Sequence, residues 1–82
     1  MTSPCELLAH LSRVHTTEMG AVRIRRNLNL PEGDVVAWCK ARMADASAQI
    51  IRRGKNWYVT SEGCVLTVNA ASYTIITAHR AS

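Results

Sequence analysis

Residues 49–79 read QIIRRGKNWYVTSEGCVLTVNAASYTIITAH, and this stretch decides the fold. β-branched and aromatic residues fill it with a period of two, and small or turn-forming residues interrupt it at short intervals. Four strands follow, at Gln49–Arg53, Trp57–Thr60, Cys64–Asn69 and Tyr73–His79, separated by turns at 54–56, 62–63 and 70–72. Connections this short join only antiparallel neighbours, so the strands form a meander.

The turn lengths also predict a register. A three-residue loop at 70–72 sets Val68 opposite Thr74, Leu66 opposite Ile76 and Cys64 opposite Ala78. The Glu62-Gly63 turn adds Trp57 and Val59 to that apolar face, and Ile51 joins through the first hairpin. The opposite face then displays Arg52, Tyr58, Thr60, Thr67, Tyr73, Ile75, Thr77 and His79. A slip of one residue would exchange the two faces strand by strand.

Ahead of the sheet the apolar period becomes helical. Leu7, Leu8, Leu11 and Val14 mark a first helix over Cys5–Val14. Thr16 or Thr17 caps a second, which has Glu18 in its first turn and runs to about Asn27. Ala21, Ile24 and Leu28 form its buried side. Asn29–Gly33 is a break, and Asp34 caps a third helix carrying Val35, Val36, Cys39 and Met43, with Trp38 beside that stripe. Asp45–Ser47 ends the helical half. The expectation is one α+β domain over residues 1–82, with two to three N-terminal helices packed on one face of a four-stranded antiparallel meander.

Composition sets outer limits. Apolar residues make up 48% of the 82-residue chain and charged residues 20%, a balance that supports a folded core. No apolar run approaches the ~20 residues of a membrane helix. The stretch from Met1 to Glu6 lacks the basic start and apolar run of a signal peptide, which predicts a cytoplasmic protein. Three cysteines, Cys5, Cys39 and Cys64, are widely spaced and form no Cys-x-x-Cys pair; His10 and His15, five apart, fall on different helix faces. Free thiols, no metal site and no cofactor are expected.

Ten Lys and Arg stand against six Asp and Glu, a formal charge of +4. Arg23, Arg25 and Arg26 form one cluster and Arg52, Arg53 and Lys55 another, which suits RNA or an acidic protein surface. On the open sheet face, tyrosines interleaved with cations suit a flexible RNA strand, since rings stack on bases and cations hold phosphates. His79 can transfer a proton near neutral pH, and a Lys or Arg can stabilise charge developing on a phosphate. An ordinary polar sheet surface would have much the same composition. His15 and Glu18 flank Thr16 and Thr17, a group that reads first as a capped helix start and only second as an acid–base or phosphate contact.

The segments His15–Gly20, Gly54–Tyr58 and Val68–His79 resemble a family of small bacterial and phage proteins of unknown function, with Gly-Lys-Asn-Trp-Tyr as the most specific run. Helices followed by an antiparallel sheet ending Tyr-Thr-Ile-Ile-Thr-Ala-His-Arg are also similar in outline to the RelE, barnase and colicin D ribonucleases. That resemblance implies metal-independent RNA cleavage on the open face, with Lys55, Tyr73, Thr77 and His79 as the catalytic candidates. Arg52, Arg53, Tyr58, Arg23, Arg26 and His15 are then the candidates for binding RNA or a partner. Two readings follow. One is an RNA-binding domain, in its sharper form a RelE-like ribonuclease toxin. The other is a non-enzymatic inhibitor or interaction module, for instance an anti-defence protein that blocks a host nuclease.

Overall fold

The structure is a computed structural model and describes residues 4–30 and 33–80. Pro31 and Glu32 of the expected break, and the side chain of Cys5, lie outside the described residues. Helix α1 spans Pro4–Ala9 and is followed by a single 3-10 turn at Leu11–Arg13. Helix α2 spans Glu18–Leu28 and α3 spans Val35–Met43. The strands are β1 (Gln49–Arg53), β2 (Asn56–Ser61), β3 (Cys64–Asn69) and β4 (Ile75–Arg80), in the order β1-β2-β3-β4. This is the expected α+β meander. The expected first helix over Cys5–Val14 is instead broken at His10, whose backbone lies at φ −122°, ψ 31°.

Local chemistry accounts for the helix boundaries. The hydroxyl of Thr17 accepts the Gly20 N–H at 2.9 Å, and the carboxylate of Asp34 accepts the Ala37 N–H at 3.1 Å. Each satisfies a donor that the first helical turn leaves without a partner. At the far end of α2, Asn29 takes a left-handed backbone (φ 53°, ψ 46°) and closes the helix by bonding back to the Arg25 and Arg26 carbonyls.

Leu7, Val14, Ile24, Leu28, Val35, Cys39 and Met43 pack onto Trp57, Val59, Cys64, Leu66, Val68, Ile75 and Ala78. Trp57 and Leu66 thus face the helices, while Tyr58 and Thr67 occupy the opposite, open face, as the two-residue turn at Glu62-Gly63 predicts. Cys39 and Cys64 carry free, buried thiols. Burial, with the neighbouring Cys64 adding to it, pushes the Cys39 thiol up to about 12.

Two turns differ from expectation, and each moves side chains between faces. The β1–β2 turn contains two residues rather than three: Arg53 pairs with Asn56, and Gly54 supplies the left-handed backbone at φ 60°. Removing one residue from the turn reverses β1. Ile51 therefore lies beside Tyr58 on the open face, and Arg52 lies beside Trp57 on the helix face.

The β3–β4 loop contains four residues rather than three. Asn69 donates its N–H to the Thr74 carbonyl, and Tyr73 inside the loop is left-handed at φ 61°. Val68 consequently meets Ile75 instead of Thr74, so Ile75 enters the core and Ile76 turns outward. A β-bulge at this level restores parity, setting Thr67 opposite Thr77 and Leu66 opposite Ala78 rather than Ile76, with Cys64 opposite Arg80. Tyr73, expected in the strand and on the open face, is instead buried in the loop.

Candidate functional site

The open face is built in rows across the strands. One row is Gln49, Thr60, Val65, His79; the next is Ile51, Tyr58, Thr67, Thr77. The last is Arg53, Asn56, Asn69 and Thr74, and it gains a fifth member from outside the sheet. His15 forms a parallel bridge with Thr74: the His15 N–H donates to the Tyr73 carbonyl at 3.1 Å, and the Ile75 N–H donates to the His15 carbonyl at 2.7 Å.

The His15 ring is oriented from both sides. Nδ1 lies 2.8 Å from the Arg13 carbonyl, which only accepts, so Nδ1 carries the proton. Nε2 lies 3.1 Å from the Thr74 hydroxyl. Ser72 Oγ lies 2.8 Å from Thr74 Oγ1. Asn69 organises the loop beneath, its side-chain oxygen accepting the Ala71 and Ser72 N–H groups at 2.9 and 3.0 Å. Asn69, Ser72 and Thr74 carry this arrangement, and no role was expected of them from sequence. The one available signal was the Asn-x-x-Ser spacing, which is a turn-forming pattern.

The structure disperses the four catalytic candidates. His79 and Thr77 share the open face of β4, in adjacent rows, with His79 exposed and Thr77 half-buried. Lys55 sits in the β1–β2 turn at the opposite end of the sheet. Tyr73 lies behind the sheet, its ring 5.3 Å from that of Trp57, with the Arg13 guanidinium 4.5 Å over its face and His10 edge-on at 5.7 Å. His15 and His79 stand at the two ends of β4, separated by roughly 15 Å at ~3.3 Å per residue.

The binding candidates divide as well. Arg53 and Tyr58 are on the open face, where with Ile51 they line a recess of about 340 Å³. Arg52 is on the helix face, its guanidinium 5.5 Å over the Trp57 ring and its Nε donating to the Gly54 carbonyl at 2.9 Å. Arg23 and Arg26 line a separate groove of about 460 Å³ on α2 with Glu18, Met19, Val22 and Asn27.

Among the described residues no strand contains a carboxylate. Glu62, in the β2–β3 turn, is paired with Arg42, and Asp45, ahead of β1, accepts from the Ser61 hydroxyl of β2 at 3.3 Å. The open face therefore carries Arg53 and two histidines with no acid among its strand residues. Among the described residues no group of His, Cys, Asp and Glu could hold a metal ion, and no helix is long and apolar enough to cross a membrane.

No curated protein and no solved structure matches the chain. A family model described as a protein of unknown function (DUF3781) matches residues 8–79. That span takes in the bridged His15, the whole sheet up to His79, and all three helices in whole or in part, and the chain belongs to the DUF3781 family.

Proposed function

We propose that this domain binds single-stranded RNA on the open face of its sheet. The observation that carries the reading is the absence of carboxylates from all four strands, on a face that presents Arg53, Tyr58, His79 and His15. Tyr58 offers a ring for base stacking. Arg53 and the side-chain amides of Asn56 and Asn69, side by side in the last row, offer donors across the strands for phosphate and ribose oxygens. Binding is the part of the reading that this geometry favours. Cleavage by the ribose 2′-hydroxyl would need an acid, a base and a cation within reach of one phosphate, and Thr77 and His79 supply only part of that set.

Fluorescence anisotropy of a labelled single-stranded RNA, titrated with the full chain at several salt concentrations, tests the proposal. Affinity should fall steeply as salt rises, because protein cations displace condensed counterions. No binding at low salt would overturn it. Gel analysis of the same mixtures reads cleavage, and loss of any cleavage in His79→Ala with binding retained would add a catalytic step.

The second reading, a protein-interaction module, draws on a different surface. Met19 and Val22 are 76% and 52% exposed beside Arg23 and Arg26 on α2, an apolar and basic strip suited to an acidic protein partner. Arg23→Glu and Arg26→Glu would disrupt such a complex and leave RNA binding on the sheet intact.

A further inference from the structure

The two edges of the sheet are treated differently. The outer edge of β4 is closed: the Thr16 hydroxyl donates to the Ile75 carbonyl at 2.9 Å, Asn27 Nδ2 donates to the Ala78 carbonyl at 3.2 Å, and His15 bridges the strand's start. The outer edge of β1 has no such cover. Arg53 and Asn56 close the two-residue turn as a hydrogen-bonded pair, and such pairs alternate along an antiparallel ladder. Ile50 and Arg52 therefore turn their N–H and C=O groups outward, and among the described residues no turn, loop or side-chain bond reaches them. An open row of backbone groups is a template for another strand. Beside it Ile51 is 54% exposed on an otherwise mostly polar face, next to the recess that it lines with Tyr58 and Arg53.

We infer that the β1 edge pairs with the β1 edge of a second copy of this chain, antiparallel about a two-fold axis through Ile51. The strand is self-complementary in that register. Ile50 meets Arg52 of the second copy and Arg52 meets its Ile50, which are the residues with outward backbone groups. Ile51 then meets Ile51 as a non-hydrogen-bonded pair, the type that brings side chains closest. Arg53 falls opposite Gln49, so no arginine directly opposes another arginine. An isologous contact of this kind closes at two copies. It joins two four-stranded sheets into one continuous sheet and doubles the open face. A pair of five-residue strands covers little area beside the roughly 1,200–2,000 Å² of stable interfaces, so the association is weak and reversible. Each copy carries a formal charge of +4, so salt strengthens the pairing by screening repulsion, opposite in sign to its effect on RNA binding.

Sedimentation velocity of the full chain over a wide concentration range, at low and high salt, is the test. The weight-average mass should rise with protein concentration, and more so at high salt. Ile51→Lys sets two cations opposite one another and should raise the dissociation constant roughly tenfold or more. Ile51→Thr keeps the β-branched shape and should weaken pairing to a lesser degree, which covers the case in which the lysine variant fails to fold. Met19→Glu, on α2, should leave the association unchanged. A monomer at every concentration and salt, a dimer insensitive to both Ile51 variants, or one broken by Met19→Glu would overturn the inference. None of these outcomes bears on whether a monomer binds RNA.

Discussion

Tyr73 rests its ring on Trp57, with centroids 5.3 Å apart and planes tilted by 43°, from a backbone held in the left-handed region at φ 61°. A bulky residue in that conformation is strained by roughly 1–3 kcal/mol. Burial of the ring against Trp57, between His10 and Arg13, offsets the strain. Tyr73→Phe keeps the ring and should cost less than about 1.5 kcal/mol. Tyr73→Ala removes the packing and keeps the strain, at about 3–5 kcal/mol. Tyr73→Gly should be no worse than Tyr73→Ala, a reversal of the usual order, because glycine relieves the backbone. Urea unfolding of the three variants checks the ranking, and a glycine variant clearly less stable than the alanine variant would show the strain to be absent.

Gly20 is wedged between the hydroxyls of Thr16 and Thr17, and a methyl group added there would collide with Thr16 Oγ1. On helix propensity alone Gly20→Ala should stabilise α2 by about 1 kcal/mol. The crowding should reverse that sign. Thr16 cannot swing aside freely, because its hydroxyl is bonded to the Ile75 carbonyl on the β4 edge. Gly20→Ala is therefore expected to be destabilising in the native background and less so once Thr16→Ala has removed the obstacle. A double-mutant cycle by thermal unfolding measures that coupling, and additive effects would count against the explanation.

Most of the architecture was legible because it depends on period and turn chemistry. The change from helical to alternating spacing near Gln49 separates the two halves, and Glu62-Gly63 sets the β2–β3 register correctly. The errors came from loops whose length is ambiguous by one residue. Asn56 reads equally well as the end of a turn or the start of a strand, and that choice decides whether Ile51 or Arg52 faces the helices. Tyr73 has high strand propensity, which concealed its left-handed place in the loop. The bulge then returned Thr77 and His79 to the face expected for them. The His15–Thr74 bridge was not legible, because its partners lie 59 residues apart and nothing local marks His15 as a strand residue.

Asp45 gives the fold one defined response to acid. The Ser47 N–H and hydroxyl each donate to Oδ1 at 2.9 Å, Ser61 donates to Oδ2 at 3.3 Å, and Arg42 adds a favourable charge. The Ser47 N–H is the largest influence, and together these hold the carboxyl below its ordinary value. A depressed native pKa means that the unfolded chain takes up the proton first. The contribution to stability is then complete above the unfolded value of about 3.9 and is lost as pH falls through the lower native one. Asp45→Asn should lower the urea midpoint at neutral pH, and the gap to the native protein should close in strong acid. A gap that stays constant with pH would assign the loss to geometry rather than to charge.

Arg52 and Arg53 are adjacent in sequence yet face opposite sides of the sheet, which makes them a paired test of the RNA-binding face. Arg53 belongs to the row that runs through Asn56, Asn69 and Thr74 to His15, whereas Arg52 lies over Trp57 and is tied to the Gly54 carbonyl. If RNA lies on the open face, Arg53→Gln should weaken binding and flatten the dependence of log affinity on log salt by roughly one unit, the contribution of one phosphate contact. Arg52→Gln has the same effect on net charge and should leave that slope nearly unchanged. It should instead lower stability modestly, since it removes a cation–π contact of about 0.5–1 kcal/mol together with the side chain's packing on the indole. Anisotropy titrations across salt and urea unfolding of both variants separate the effects. Equal losses of RNA affinity would mean that net charge rather than this face governs binding, and a loss confined to Arg52→Gln would place the RNA beside the helices.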